Sequence, residues 1–114
     1  MAETFNNAEL SPITTTEAVI YTAPNNASTD RAVVLSLLIT NTDGTNTEAI
    51  TAKIYDTSGT EKAVIASTID IAGDSRLELA GSSKIVLKAN ESIKLTGADA
   101  TGYSDGFISV IELT

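Results

Sequence analysis

From Thr16 onward the chain runs in short stretches of alternating apolar and polar residues, divided by clusters of Asn, Asp, Gly and Ser. Such spacing predicts strands and turns. In Glu48 to Asp56 the alternation is regular: Ile50, Ala52 and Ile54 fall on one face, and Thr51, Lys53 and Tyr55 on the other. Because successive strand residues point to opposite sides, one face is core and the other meets solvent or a partner. The same rule puts Ile65, Ile69 and Ile71 inside along Lys62 to Ile71, then Leu77 with Leu79, Ile85 with Leu87, and Ile93 with Leu95. Thr16 to Ala23 reads as the first strand, with Val19 and Tyr21 on one side and Ala18 and Ile20 on the other.

Two segments break the half-polar pattern. Arg31 to Asn41 carries Val33, Leu35, Leu37 and Ile39 on one face and Val34 and Leu38 on the other, which predicts a central strand covered on both sides. Gly106 to Thr114 is also apolar on both faces, so this closing strand is expected to pair centrally or to meet another chain. Turns are marked by NTDGTN after the central strand, TSG at Thr57 to Gly59, AGDS at Ala72 to Ser75 and DG at Asp105 to Gly106, all built from residues that tolerate tight backbone. The count is seven or eight strands without a helix. The predicted fold is all-β, a single antiparallel β-sandwich of the immunoglobulin-like or jelly-roll kind spanning 13–114.

Residues 1–12 are polar and Asn-rich, lack alternation and end at Ser11 and Pro12. They read as an N-terminal arm, either frayed or laid on a neighbouring subunit through Phe5, Leu10 and Ile13. The segment MAETFNNAELSPIT has no basic region followed by an apolar one, so the expectation is synthesis in a cytoplasm and release, if any, by lysis. The sequons at Asn26 to Ser28 and Asn90 to Ser92 carry weight only with an export route.

Composition narrows the chemistry. A chain of 114 residues suits one domain and one core. With 7 Lys and Arg against 15 Asp and Glu, the formal charge is −8, and the acids are scattered. Nucleic acid and anionic lipid both demand clustered cations, so neither is an expected partner. No apolar run approaches the roughly 20 residues of a membrane-spanning helix. The absence of His and Cys removes the commonest general base, the commonest metal ligands and thiolate nucleophiles. No Ser-x-x-Lys or Gly-x-Ser-x-Gly spacing occurs. The reading is of a non-enzyme with no cofactor and no metal.

Asn41, Asp43, Gly44, Thr45 and Glu48 partly resemble an oxygen-rich ion loop, but lack the placed glycine and the distant bidentate Glu of an EF-hand. A hairpin turn is the reading taken, and the loop Asp99 to Asp105 is treated alike. Sugar binding generally needs exposed aromatic platforms, and this chain has no Trp, two Phe and three Tyr. Tyr55 and Tyr103 look exposed, and they join Phe5, Leu10 and Ile13 as candidate contacts with another protein.

Two stretches, VVLSLLITNTDGTNTEAITAKIYD (Val33 to Asp56) and SSKIVLKANESIKLTG (Ser82 to Gly97), together resemble small β-sandwich virion proteins of tailed bacteriophages. There a central strand ending in an Asn-Thr turn leads to a strand ending in Tyr-Asp, and a later strand reaches an Ala-Asn-Glu-Ser turn before Ile-Lys-Leu. The likeness covers roughly Thr16 to Thr114. It implies a capsid decoration or cement protein, or a neck or tail accessory, made in the host cytoplasm and carried in the virion. The implied partners are the major capsid protein or other virion proteins, with self-association, often as a trimer at a symmetry axis. The same pattern also looks like immunoglobulin-like modules of surface and adhesive proteins, which would imply host recognition.

Overall fold

A computed structural model describes residues 2–114 as two antiparallel sheets packed face to face, with nine strands among them. They are β1 (Glu3–Ile13), β2 (Ala18–Thr22), β3 (Arg31–Asn41), β4 (Glu48–Tyr55), β5 (Glu61–Ile71), β6 (Arg76–Glu78), β7 (Ile85–Lys88), β8 (Ser92–Gly97) and β9 (Ser104–Leu113). One sheet has four strands in the order β2-β8-β4-β5. The other has five: β1-β9-β3, with the far side of β3 shared between β7 along Arg31 to Val34 and β6 along Leu38 to Thr40. The core between the sheets is aliphatic, led by Ile13, Leu37, Ile39, Ile50, Leu87, Ile93, Leu95 and Ile108, all fully buried. The β-sandwich read from the alternation is the observed fold.

The additional strand is the segment expected to be an arm. Met1 lies outside the described residues, but Glu3–Ile13 forms a long strand along β9, from Glu3 opposite Leu113 to Leu10 opposite Gly106. Periodicity hid it because β1 is an edge strand whose inward residues, Asn6, Ala8 and Leu10, are mostly small or polar. Its hydrogen bonds come from β9, and a ladder of this kind leaves no trace in side-chain pattern. The register breaks between Leu10 and Ile13, across a cis Ser11-Pro12 bond. There Gly102 sits at φ 81°, with space for a Cβ closed by Pro12 at 2.5 Å.

Bulges correct two further expectations, and an edge position corrects a third. Between Val34 and Ser36 the register of β3 against β9 slips. The residues facing the core are therefore Ala32 and Val34, then Leu37, Ile39 and Asn41, while Val33, Leu35 and Leu38 turn outward and are half-buried. The outer face of β3 is not covered within the chain. In β2 a slip between Val19 and Tyr21 directs both Ile20 and Tyr21 inward. Ile69, opposite Ile50, lies at the free edge of the four-stranded sheet and is 40% exposed, where alternation placed it inside. An extra residue in one strand is what each bulge supplies, and only pairing reveals it.

Polar side chains complete the backbone where strands stop short. Between β6 and β7 the Glu78 carboxylate accepts hydrogen bonds from the Leu37 N–H (2.9 Å), the Ala80 N–H (2.7 Å) and the Ser36 hydroxyl (2.6 Å). It stands in for the missing stretch of neighbouring strand.

Candidate functional site

The oxygen-rich loop after β3 is a structural joint. Asn41 is fully buried, and its amide donates to the carbonyls of Asn46 (2.7 Å) and Ile71 (2.9 Å) while its Oδ1 accepts from the Asp43 N–H (3.0 Å). Asp43 Oδ1 accepts from the backbone of Asn46 and Thr45, which holds this exposed carboxyl down at about 2. Gly73 passes so close that a Cβ there would lie 2.7 Å from the Asp43 carbonyl. Glu48, expected on the solvated turn, is buried and accepts the Asp99 N–H at 3.2 Å through Oε2. Among the described residues no group of three or more acidic side chains is arranged to hold a metal ion. The loop from Asp99 closes in the same way, with Asp99 Oδ1 accepting from Thr101 N–H at 2.8 Å.

At the opposite end an open groove of about 380 Å³ is lined by residues including Arg31, Asp56, Lys88 and Glu91. Two of those charges, Arg31 and Glu91, are already engaged. Arg31 donates to the carbonyls of Ser28 and Asp30, and the buried Glu91 carboxylate accepts from Lys62 Nζ (2.6 Å) and the Lys88 N–H (2.8 Å). Burial alone would raise the Glu91 pKa; the Lys62 and Lys88 contacts outweigh it and hold the carboxyl below its usual range.

The predicted contact residues do not converge. Phe5 stands on the outer face of the five-stranded sheet, 75% exposed. Leu10 faces inward and packs against the core, and Ile13 is fully buried within it, so Ile13 is held by its own chain. Tyr55 lies on the outer face of the other sheet, its hydroxyl donating to Glu17 at 2.7 Å and its ring 4.3 Å beneath Lys94 Nζ. Tyr103 occupies the loop before β9, its phenol raised in pKa chiefly by the charge of Asp99.

What surrounds Phe5 is the candidate site. Register places Phe5 opposite Ile111, Ile111 opposite Val33 and Val33 opposite Val86, an apolar row across β1, β9, β3 and β7. All four lie on the outer side, since their chain neighbours Ala32, Leu87 and Val110 are buried. Val86 is 58% exposed. Nearer the other end Leu38 lies opposite the exposed Phe107, and between the two rows Ser109 lines a shallow depression of about 260 Å³ together with Phe5 and Leu35. Scattered single apolar residues are ordinary on a surface, but a contiguous patch marks a contact. The signal was present in the sequence as two strands apolar on both faces; what was missing was the alignment that joins them through Phe5 and Val86.

No family model matches the chain, and no curated protein matches it. Solved structures do. A chain from the structure of Bacillus endospore appendages, a family of disulfide-linked pili, superposes with a TM-score of 0.59 at 19% identity, over 99% of this chain and 87% of that one. A chain of the IBDV viral particle gives 0.58 at 11% identity, and one of the infectious bursal disease virus Gx strain gives 0.56 at 10%. Each aligns over 96% of this chain, which spans 30% and 32% of the viral chains. These are likenesses of fold.

Proposed function

We propose that the chain is a structural subunit of a protein assembly and acts by non-covalent contact through the outer face of its five-stranded sheet. The observation that carries the reading is the apolar row Phe5, Ile111, Val33 and Val86, which the chain itself leaves uncovered. The fold is shared with chains of a virus particle and of a spore appendage, which favours this class of role. Its most specific form is the one implied by the resemblance of Val33 to Asp56 and Ser82 to Gly97: a virion protein decorating a capsid, made in the host cytoplasm, with the major capsid protein as partner. Many copies on a shell multiply a modest pairwise affinity.

A second reading, a subunit of a filamentous appendage, is favoured by the near-complete mutual cover with the appendage chain. This chain has no cysteine, so copies joined in that way would be held without disulfides.

Density-gradient fractionation of native material tests the reading. The chain is expected in a fraction far heavier than its own 11.8 kDa, with Lys88 cross-linked to a second polypeptide, and Phe5→Asp is expected to return it to the light fractions. Recovery of wild type and variant alike as free single chains overturns it.

A further inference from the structure

We propose that the occupant of this face is a second copy of the same chain, laid face to face about a two-fold axis that runs parallel to the strands between β9 and β3. The proposal rests on the assembly reading above and names the partner and its orientation.

Three features of the face point to self-pairing. Its two edges carry opposite charge: β1 bears Glu3 and Glu9 and no cation, whereas Arg31, Arg76, Lys84 and Lys88, four of the seven Lys and Arg, lie along β3, β6, β7 and the turn before β7. Glu78 is the acid on the basic edge, and its carboxylate is occupied by Ser36, Leu37 and Ala80. A two-fold parallel to the strands reverses the strand order and sets the Glu3 end of each acidic edge over the Arg31 and Lys88 corner of the other copy, while Glu9 falls over Glu78, whose carboxylate its own chain already binds. The row Glu3, Leu113, Arg31, Lys88 then places Glu3 over the partner copy's Lys88, and the next row places Phe5 over its Val86.

The second feature is a projection beside a depression. Leu35 is the bulged residue of β3 and stands beside the hollow at Ser109 of the adjacent β9. The same axis exchanges β3 with β9, so each Leu35 meets the other copy's hollow, as a self-complementary isologous contact requires.

The third is size. Four strands about 4.8 Å apart and some eight residues long present a face that buries on the order of 1,000 Å² in a pair, the lower bound for a specific interface. Sheet twist sets the crossing at about −30°. Association is thus expected to be weak for free pairs and firm once many copies are held together.

The absence of cysteine makes the arrangement directly readable. Within one chain Phe5 and Val86 are three strand spacings apart, about 14 Å, too far for a short bismaleimide, whereas sheets packed face to face lie about 10 Å apart with their side chains pointing at each other. Phe5→Cys/Val86→Cys protein treated with that reagent is therefore expected to run as a covalent dimer, while Phe5→Cys and Val86→Cys alone stay single. Glu3→Lys is expected to weaken dimerisation in analytical ultracentrifugation at least tenfold, with recovery in Glu3→Lys/Lys88→Glu. All these sites are exposed, and unchanged thermal melting checks that each variant is folded.

Cross-linking of Phe5→Cys alone as readily as the double variant would place β1 against β1 and overturn the proposed axis. A chain that stays single at millimolar concentration and forms no cross-link overturns the homotypic partner. If Phe5→Asp nevertheless leaves the heavy fraction of native material, the assembly reading survives with a different protein on this face; if it remains there, both readings fail.

Discussion

The two sheets turn very different outer faces to their surroundings. Across the four-stranded sheet one row reads Val19, Lys94, Lys53, Val64; across the five-stranded sheet one row reads Phe5, Ile111, Val33, Val86. In the first, two like charges stand side by side and are each compensated, Lys53 by Glu61 at 2.9 Å and Lys94 by the Tyr55 ring. The centre of that row is finished for water, and only its end residues Val19 and Val64 are exposed and apolar. Both sheets bury equivalent aliphatic inner faces, so the sandwich does not need an apolar exterior to fold. The apolar row is surplus to the monomer, which is why contact with another chain is its natural explanation.

The sharpest way to break this contrast is to substitute neighbours on one strand. Ile108, fully buried, and Phe107, 44% exposed, are adjacent on β9 but face opposite ways. Ile108→Ala is expected to cost about 3 kcal/mol through lost burial and the cavity left behind. Phe107→Ser should change the stability of the single chain by less than about 1 kcal/mol, as surface substitutions do, and weaken self-association instead. Chemical denaturation of both variants, read beside sedimentation, checks the pair. A Phe107→Ser cost equal to that of Ile108→Ala would make the outer row part of the monomer's own core.

Next in size is Asn41, which joins the ends of the two sheets. Asn41→Ala removes the amide that serves two carbonyls and the oxygen that serves an N–H, in a fully buried place. Leaving those groups unpaired is expected to cost about 2–3 kcal/mol, measured in the same denaturation series, with self-association unchanged once the protein is folded.

How much of this was written in the sequence depends on the kind of information each feature carries. The strand Glu48–Tyr55 was legible to within one residue of its end, because its inner positions Ile50, Ala52 and Ile54 follow the two-residue period over its length. The outer row was legible only in halves: the double-sided apolar character of β3 and β9 was plain, but the slip at Leu35 reassigned which half faces out. Such a bulge is decided by pairing with β9 and has no signature in β3 alone. Strand β1 was illegible for a related reason, since its order comes from the backbone of β9. Asn41 and Glu48 suggested an ion loop because a polar residue on a turn reads as solvated, and nothing local announces that neighbouring loops close over it.

A smaller effect is read by pH. Glu91 braces the turn between β7 and β8 and is held below its usual pKa: burial acts against this, and the Lys62 and Lys88 hydrogen bonds and charges prevail. Glu78 in the five-stranded sheet is lowered in the same sense, with Ser36, Ala80 and Leu37 overcoming burial. A carboxyl lowered in the folded state adds stability that is complete above the unfolded pKa, about 4.3 for Glu, and is lost as pH falls through the folded value. The melting temperature is therefore expected to be level from neutral pH down to about 5 and to drop below about 4. Glu91→Gln should cost about 1 kcal/mol at neutral pH, a modest figure because Lys62 is substantially exposed, and should flatten that acid limb. An unflattened limb would assign the acid sensitivity elsewhere.

The smallest expected effect is the control for the whole comparison. Tyr55 carries the aromatic contact on the water-facing sheet, where its hydroxyl meets Glu17 and its ring lies under Lys94. An exposed cation–π contact and an exposed hydrogen bond each contribute little, so Tyr55→Ser is expected to lower stability by no more than about 1 kcal/mol. More telling is association: because the row Val19, Lys94, Lys53, Val64 presents charge at its centre where the other face presents Ile111 and Val33, Tyr55→Ser should leave sedimentation of the dimer unchanged while Phe5→Asp abolishes it. Loss of association in Tyr55→Ser would mean that both sheets make contacts, and the subunit would then join neighbours on two sides, as a lattice or filament requires, instead of pairing across one.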